Sequence, residues 1–589
     1  MLPADVERSS STLPQRASSG EGVVLGVESV LTLTDTGKGR CVLPRYQLRL
    51  LLLCAAQWYG FTAFTMLPPF LMPSVESEWG MSKGMSSLLG TVFFFGQFCG
   101  LFVFGVFMDM YGRRRGFVLA LVIGSIAGPA EFLTTGPLSL GVVRALAGFA
   151  AGGLMSSAIV LTIEFAPPAR RATLKALLTT LGWSANLLIL ISLAFALRDA
   201  PWRLMLLCTL PVPALLLLET AGRGVVPESP RYLLGVGDEK GAIEALARVA
   251  DTNGRQLPRP LRLDGGGVGG GLASGASPAA TAPSLSGGDE ADGEQGRPPP
   301  PSSHSAALRS GAAARCSRCD AVTSQAVRAA RTLCELSHPT LRRPAALVGV
   351  GFLCTTAGYY AVALASNFGV GLDLYTRQYI GAVVEVPSYL AIPLMADRIG
   401  RTRAWGALLG GTAASLLLLA WIEHLGATGG DGGGATGGGG DGGGDSGGGG
   451  GGGDSGGGGG GGGSAGVSAG SILLALIARF CIAGASSINY VAAAEQFPTS
   501  SRSVGLAFAS GCGRLGTFVS PPIAQALSPY AQHLVVGVGT AVGALCVLGL
   551  RETLGLPMAE RVAGSRSASA PAVMRLPSSS RTAPVRMHD

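Results

Sequence analysis

Two stretches decide the architecture: Gly105-Val106-Phe107-Met108-Asp109-Met110-Tyr111-Gly112-Arg113-Arg114 and, far downstream, Asp397-Arg398-Ile399-Gly400-Arg401. In both, Asp-x-x-Gly-Arg separates one long apolar block from the next, so the charged motif reads as a short loop joining two helices. Crossing the hydrocarbon core of a bilayer takes about 20 apolar residues. Working outward from the first motif gives six such blocks, at roughly 48–71, 86–108, 116–136, 139–163, 173–197 and 203–225. The second motif lies among six more, at roughly 345–367, 378–396, 404–425, 471–494, 505–528 and 533–550. The expected fold class is an all-α membrane protein with 12 transmembrane helices in two six-helix bundles. Composition excludes a soluble enzyme of this size: charged residues make up 14% of 589, against about 25% in soluble domains.

Lys and Arg in short loops favour the cytoplasm. Lys38, Arg40, Arg45 and Arg49 precede span 1, Arg113, Arg114 and Arg115 follow span 2, and Arg170, Arg171 and Lys175 follow span 4. Arg398, Arg401 and Arg403 follow span 8, Arg502 follows span 10 and Arg551 follows span 12, all on the same side. The opposite side carries Lys83, Arg198, Arg203 and Arg377 against Glu76, Glu78, Asp199 and Asp373. Both termini are therefore expected to be cytoplasmic. The net charge of +8 speaks of topology; the expected partners are the lipid bilayer and a small-molecule substrate, and no nucleic acid.

The chain divides into a cytoplasmic tail without a fold (1–44), the amino-half bundle (45–231), a cytoplasmic central loop with a short helix and otherwise unstructured (232–340), the carboxyl-half bundle (341–557) and a second cytoplasmic tail (558–589). The central loop is too rich in Gly, Pro, Ser and Ala to bury a core. An external insertion at 429–463 holds 27 Gly in 35 positions and reads as a flexible loop. Its acids, Asp431, Asp441, Asp445 and Asp454, lack the regular spacing of calcium sites. The 11 cysteines form no disulfide framework, and Cys316-x-x-Cys319 has no second ligand pair for zinc. No phosphate-binding loop or nucleophile elbow is present, so no enzymatic activity, cofactor or metal is expected.

The halves repeat each other in more than the two motifs. Glu164 lies seven residues before Arg171 at the end of span 4, and Glu495 lies seven before Arg502 at the end of span 10. Arg144 and Arg479 occupy corresponding places in those spans, followed by Gly148 and Gly484. Pro227-Glu228-Ser229-Pro230-Arg231 follows span 6 and Arg551-Glu552-Thr553 follows span 12.

On these motifs the sequence resembles the major facilitator superfamily, and Pro-Glu-Ser-Pro-Arg together with the late Glu-Thr resembles its sugar-porter and organic-ion-transporter branch. Glu495-Gln496-Phe497-Pro498-Thr499-Ser500-Ser501-Arg502, Gly513-Arg514-Leu515-Gly516 and Ser520-Pro521 are similar to the organic cation/anion transporters and the synaptic-vesicle-protein-related transporters. Arg45-Tyr46-Gln47-Leu48, Glu164-Phe165-Ala166-Pro167 and Ala242-Ile243 through Asn253-Gly254 favour the second group. The resemblance covers about 45–253 and 340–557. It implies the major facilitator fold, alternating access around a midplane site, and a solute carrier working as a monomer, with the plasma membrane as the expected location and a proton or counter-ion as a coupling partner. Met110 replaces the basic residue usual in the first motif, and Trp58 to Phe64 carries none of the span 1 acids of the vesicle-protein group.

The loop residues read as a conformational latch: Asp109, Gly112, Arg113, Arg114, Glu164, Arg171, Glu228 and Arg231 in one half, Asp397, Gly400, Arg401, Glu495, Arg502 and Glu552 in the other. Arg113, Arg114 and Arg171 are expected to meet Glu164 and Glu228, and Arg401 and Arg502 to meet Glu495 and Glu552. Single half-exposed bridges contribute about 1 kcal/mol or less, but several together bias a two-state equilibrium.

Charged and polar side chains inside spans mark substrate and ion paths. The candidates for substrate binding are Arg514, Glu385, Asn186, Tyr359, Tyr360, Asn489, Tyr490, Gln57 and Trp58. In the resembled families the position of Arg514 carries Arg in anion transporters and an acid in cation transporters, which implies an organic anion or zwitterion as substrate. The residues leave a second reading open, in which Arg514 pairs permanently with Glu385 and the substrate is an organic cation or a sugar. A third is a non-transporting vesicle or receptor-like protein that keeps the fold. Glu385 is the candidate proton carrier.

Overall fold

With no water in the hydrocarbon core, each apolar block must close its backbone hydrogen bonds within itself, and it does so as a helix. The computed structural model describes residues 23–37, 43–221, 226–258, 260–263, 338–364, 373–429, 469–497 and 502–553. Among the described residues, 10 helices are long and apolar enough to cross a membrane: Arg45–Trp79 (span 1), Lys83–Tyr111 (span 2), Arg113–Leu133 (span 3), Pro137–Glu164 (span 4), Thr173–Ala196 (span 5), Trp202–Glu219 (span 6), Pro339–Leu364 (span 7), Arg401–Leu425 (span 9), Ala469–Gln496 (span 10) and Pro529–Leu548 (span 12). Two more long helices stand where spans 8 and 11 are expected, Leu374–Ile399 and Arg502–Ala526. They are less apolar because they carry Arg377, Glu385 and Arg398 in one and Arg514 in the other, and Glu385 and Arg514 are buried among their neighbours. Ten of the twelve expected spans are thus met by helices apolar enough to cross a membrane, and helices with buried charges stand at the other two positions. The first span is longer than expected: the helix resumes at Pro68 and runs to Trp79, across the start of the segment read as a loop.

Close approach of spans 2 and 4 holds the amino half together. Gly96 and Gly100 face the backbone carbonyls of Ala145 and Phe149, and Gly148 and Gly152 face those of Phe93 and Gln97, so closely that a Cβ on any of the four would overlap a carbonyl oxygen. Small residues four apart allow this contact, which takes the place of a hydrophobic driving force that lipid does not supply. Trp405, fully buried in span 9, donates to the Thr355 hydroxyl at 3.1 Å and stacks edge-on against Phe352, joining spans 7 and 9.

The two halves touch along spans 2 and 11 and spans 5 and 8. At the end away from the Asp-x-x-Gly-Arg motifs, Tyr375 packs on Phe70 and Phe195, Phe518 packs on Phe95 and Phe98, and Thr91 donates to the Phe518 carbonyl at 3.2 Å. At the motif end, Lys175 of span 5 lies over the Tyr490 ring of span 10, 4.6 Å from its centroid.

Residues 23–37, expected to belong to an unfolded tail, carry a strand and a helix. Val23–Leu25 pairs in parallel with Leu261–Leu263, itself inside the segment read as an unstructured loop, and Val27–Leu33 follows with Val30 and Leu31 fully buried. Glu28 receives Arg171 and Arg231, each at 2.8 Å, and Asp35 receives the buried Arg170 at 2.5 Å. Asn253 closes the assembly, accepting from the Tyr46 amide at 2.9 Å and donating to the Thr34 carbonyl and the Gln47 side chain, both at 3.1 Å. This clasp joins the start of span 1, the turn between spans 4 and 5, and the helix Glu239–Thr252. Composition gave no hint of it because its partners are scattered over the sequence. The expected readings of the Gly-rich insertion, of Cys316 and Cys319, and of both chain ends fall outside the described residues.

The hydrogen bond from Arg171, with the charges of Arg171 and Arg231, holds the Glu28 carboxyl below its ordinary value of 4.5. A depressed folded-state pKa contributes stability that is full above the unfolded value and is lost as pH falls through the folded one. The clasp is therefore expected to hold at neutral pH and to release its Glu28 contact only below about pH 4.5. Limited proteolysis near residue 28 at pH 7 should be faster in Glu28→Gln than in wild type; equal rates would contradict the contact.

Candidate functional site

The motif loops have one geometry in both halves. Gly112 and Gly400 follow the ends of their helices with φ of 107° and 109°, a region in which a side chain is strained. The space a Cβ would take is filled in each case by a carboxylate, Glu228 at Gly112 and Glu552 at Gly400. Glu228 accepts from the backbone amides of Arg113 and Arg114 at 2.7 and 3.3 Å, and Glu552 from those of Arg401 and Arg403, both at 3.0 Å. Each carboxylate thus caps the free amides at the start of the following helix, where the helix dipole favours negative charge. The segments after spans 6 and 12 are fastened by this means to the starts of spans 3 and 9.

Around these caps lie the expected ion pairs and some different ones. Arg113 reaches both oxygens of Glu164 at 3.1 Å and Asp109 at 3.1 Å, and Arg401 pairs with Glu495. Glu495 also accepts from the Thr553 hydroxyl at 2.6 Å. Arg171 differs from expectation: it turns to Glu28 rather than to Glu164 or Glu228, because the clasp brings a carboxylate nearer, and Arg231, for which no partner was expected, joins it there. Arg114 differs in part: its amide reaches Glu228 while its side chain reaches the buried Glu219 at 3.4 Å. Arg502 begins span 11 and Asp397 lies near the end of span 8.

At mid-depth the helices bring together a second set. Glu385 is fully buried and pairs with Arg479 of span 10 at 2.7 Å. Its oxygens accept from the Tyr359 hydroxyl at 3.0 and 3.1 Å and from the Trp183 indole at 3.1 Å, and Tyr389 donates to the Tyr359 hydroxyl at 3.2 Å. The reading in which Glu385 pairs with Arg514 is thus overturned, since Arg479 has taken that carboxylate. Trp183 reaches it from the other half because one turn of span 5, Thr180–Ala185, opens into π-helical hydrogen bonding, a distortion often found at functional sites.

Arg514 sits apart from this pair. Its guanidinium reaches the Met155 sulfur of span 4 at 3.6 Å, with the Tyr360 hydroxyl alongside, and it is 9% exposed. Among the described residues no carboxylate lies within ion-pair distance of it. Tyr360 meets Phe94, Trp183 and Tyr359 edge to face, so the guanidinium borders an aromatic wall drawn from both halves.

The other expected binding residues divide by whether their polar atoms are occupied. Asn186 donates to the Ala55 and Gly182 carbonyls at 2.7 and 2.8 Å, tying spans 1 and 5, and the Gln57 amide donates to Ser157 at 2.9 Å. Tyr490 shares a hydrogen bond with Ser510 at 3.3 Å. By contrast the Trp58 indole nitrogen, the Gln57 and Asn489 carbonyl oxygens and the Ser184 hydroxyl are buried without a partner among the described residues. Unsatisfied buried groups of this kind ask for an explanation, and a substrate supplies one.

Sequence reasoning missed Trp183, which reads as one more apolar residue, and Arg479 as the partner of Glu385. It also missed Glu131, which pairs with Arg144 at 3.3 Å, both almost fully buried. The repeat was the signal: Arg144 and Arg479 correspond, and each needs a buried acid.

Comparison with known proteins agrees with this geometry. The family described as sugar (and other) transporter matches residues 52–259. Organic cation/carnitine transporter 7 of Arabidopsis thaliana is 24% identical over 89% of this chain and 95% of its own length. The putative transporter svop-1 of Caenorhabditis elegans is 24% identical over 87% and 83%, and solute carrier family 22 member 7 of Bos taurus 29% identical over 58% and 53%. In fold the chain is similar to the xylose transporter XylE of E. coli in its inward open conformation, with a TM-score of 0.54 over 87% of this chain and 98% of that one at 14% identity. The paired motif loops, the long apolar helices and these likenesses give the chain the major facilitator fold of a multi-pass membrane protein, similar to the sugar and organic-ion transporters that share it.

Proposed function

We propose that this protein moves a small organic anion or zwitterion across the membrane by alternating access, with Arg514 as the group that receives the negative charge. The observation that carries the reading is the division of charge at mid-depth. Glu385 is neutralised by Arg479, so Arg514 is a buried cation without a carboxylate within ion-pair distance among the described residues, and a charge in that setting is costly until a counter-charge arrives. An anionic substrate supplies it; a cation or a neutral sugar would not. The printed names of the relatives include both an organic cation/carnitine transporter and, in Oryctolagus cuniculus, organic anion transporter 3, so the preference for an anion rests on Arg514. Trp183, Tyr359, Tyr360 and Phe94 would cover the apolar part of the substrate, and the Asn489 oxygen and Trp58 indole would meet its polar edges.

Transport follows from which contacts hold which end. The halves meet through aromatic side chains away from the motifs, whereas the motif ion pairs described above lie within one half each. The caps and bridges then keep each half rigid while the halves rock about the buried site. With the Arg-rich motif end cytoplasmic, both termini lie inside the cell, and we place the protein in the plasma membrane as a monomer. Glu385 bonds across to Trp183, so protonating it would loosen a contact between halves, and it is the group through which a proton would couple.

Uptake of a labelled organic anion by cells expressing Arg514→Ala and Arg514→Asp should fall about 100-fold or more, the scale of losing a buried charge-paired contact, while Arg514→Lys keeps part of it. Undiminished anion uptake in Arg514→Asp, with normal surface expression, would overturn the assignment.

A further inference from the structure

Lys175 is the other half-buried cation near the interface without a carboxylate within ion-pair distance among the described residues. It enters span 5 at the motif end, and its ammonium lies 4.6 Å from the centroid of the Tyr490 ring in the opposite half. The Tyr490 hydroxyl bonds to Ser510 at 3.3 Å, and Ser510 stands one turn of span 11 on the motif side of Arg514. Next to Tyr490, the Asn489 oxygen is buried without a partner. Lys175, Tyr490, Ser510 and Arg514 therefore form a continuous line from the motif end to mid-depth, positive at both ends and uncharged between.

We infer that Lys175 is a second anion-binding residue, which receives the substrate's negative group on the motif side of Arg514 as the site opens to that end. The inference rests on the anion reading above. A cation held only by the face of a ring is weakly engaged, and a carboxylate or similar anion binds an ammonium more strongly. Opening the motif end draws span 5 away from span 10 and strips Lys175 of Tyr490, so the anion-binding station appears only in the state that needs it. A residue serving one access state acts asymmetrically: it sets affinity from one side far more than from the other.

The test compares uptake and efflux of the same labelled organic anion in cells expressing wild type, Lys175→Gln, Lys175→Arg and Arg514→Ala. Lys175→Gln should raise KM for efflux, taken from the cytoplasmic motif side, about 10-fold relative to the KM for uptake, the scale of one lost charged contact. Lys175→Arg should restore the ratio. An unchanged ratio, whether both constants stay or rise together, overturns the role for Lys175, and so does failure of Lys175→Arg to restore it. Should Lys175→Gln not reach the surface, Lys175→Arg and Lys175→Met carry the same comparison. Arg514→Ala separates the two claims: full anion flux in that variant defeats the underlying reading, whereas its loss beside an unchanged Lys175→Gln ratio defeats this inference alone.

Discussion

Gly148→Leu is expected to prevent assembly of the amino-half bundle. A Cβ at Gly148 already overlaps the carbonyl oxygen of Phe93, and the neighbouring turn repeats the clash between Gly152 and Gln97. Adding bulk to a packed core costs about 1–3 kcal/mol where side chains can yield; here the obstacle is backbone on a facing helix, and the only relief is to separate spans 2 and 4. Arg113, which starts span 3 directly after span 2, bridges Asp109 of span 2 and Glu164 of span 4 at the motif end, so the first latch opens with them. The expected result is loss of a monodisperse peak in size-exclusion chromatography of detergent extracts, with Gly105→Leu, which has open space around its Cβ, as the unaffected control. A monodisperse Gly148→Leu protein would contradict the packing.

The second large effect belongs to Glu385. Removing one partner of a buried ion pair leaves the other charge uncompensated and costs about 3–5 kcal/mol, and Glu385→Ala would also orphan the Tyr359 hydroxyl and the Trp183 indole. The double variant Glu385→Leu/Arg479→Met removes both charges and should recover much of the loss, because apolar replacement of a whole buried pair is often nearly neutral. Cys54, Cys208 and Cys354 are free and buried, so a thiol-reactive dye reports unfolding directly. The single variant should melt well below wild type and the double variant close to it; equal melting of the two would show that the pair is not the source of the effect.

Sequence and structure agree where the information is local. Asp-x-x-Gly-Arg is a tight, positive-φ connection written in neighbouring residues, and its second copy revealed the repeat that places Glu228 and Glu552. The helices were legible from the length of their apolar blocks, apart from Pro68–Trp79, which carries the first span beyond its expected end near residue 71. What was not legible depends on partners far apart in the chain. Glu385 and Arg514 are each deeply placed, but only packing shows that Arg479 claims the carboxylate. Glu28 and Asp35 look like acids of a solvated tail until Arg170, Arg171 and Arg231 are seen beside them. Lys175 reads as a topology residue because its aromatic partner stands on the other half. No pattern in span 5 announces the π-helical turn that turns Trp183 toward Glu385.

The site as a whole has a simple electrostatic logic. One pair of opposite charges, Glu385 and Arg479, is satisfied within the carboxyl half and reaches the amino half through the Trp183 indole, while in the proposed reading two cations between centre and motif end receive the cargo. The most direct test is initial-rate uptake by the purified wild-type protein in liposomes of three matched compounds, one aromatic framework bearing a carboxylate, an amide or an amine. The account predicts that the carboxylate is taken up at least about 10-fold faster than either of the others. Faster uptake of the amine or the amide would contradict it.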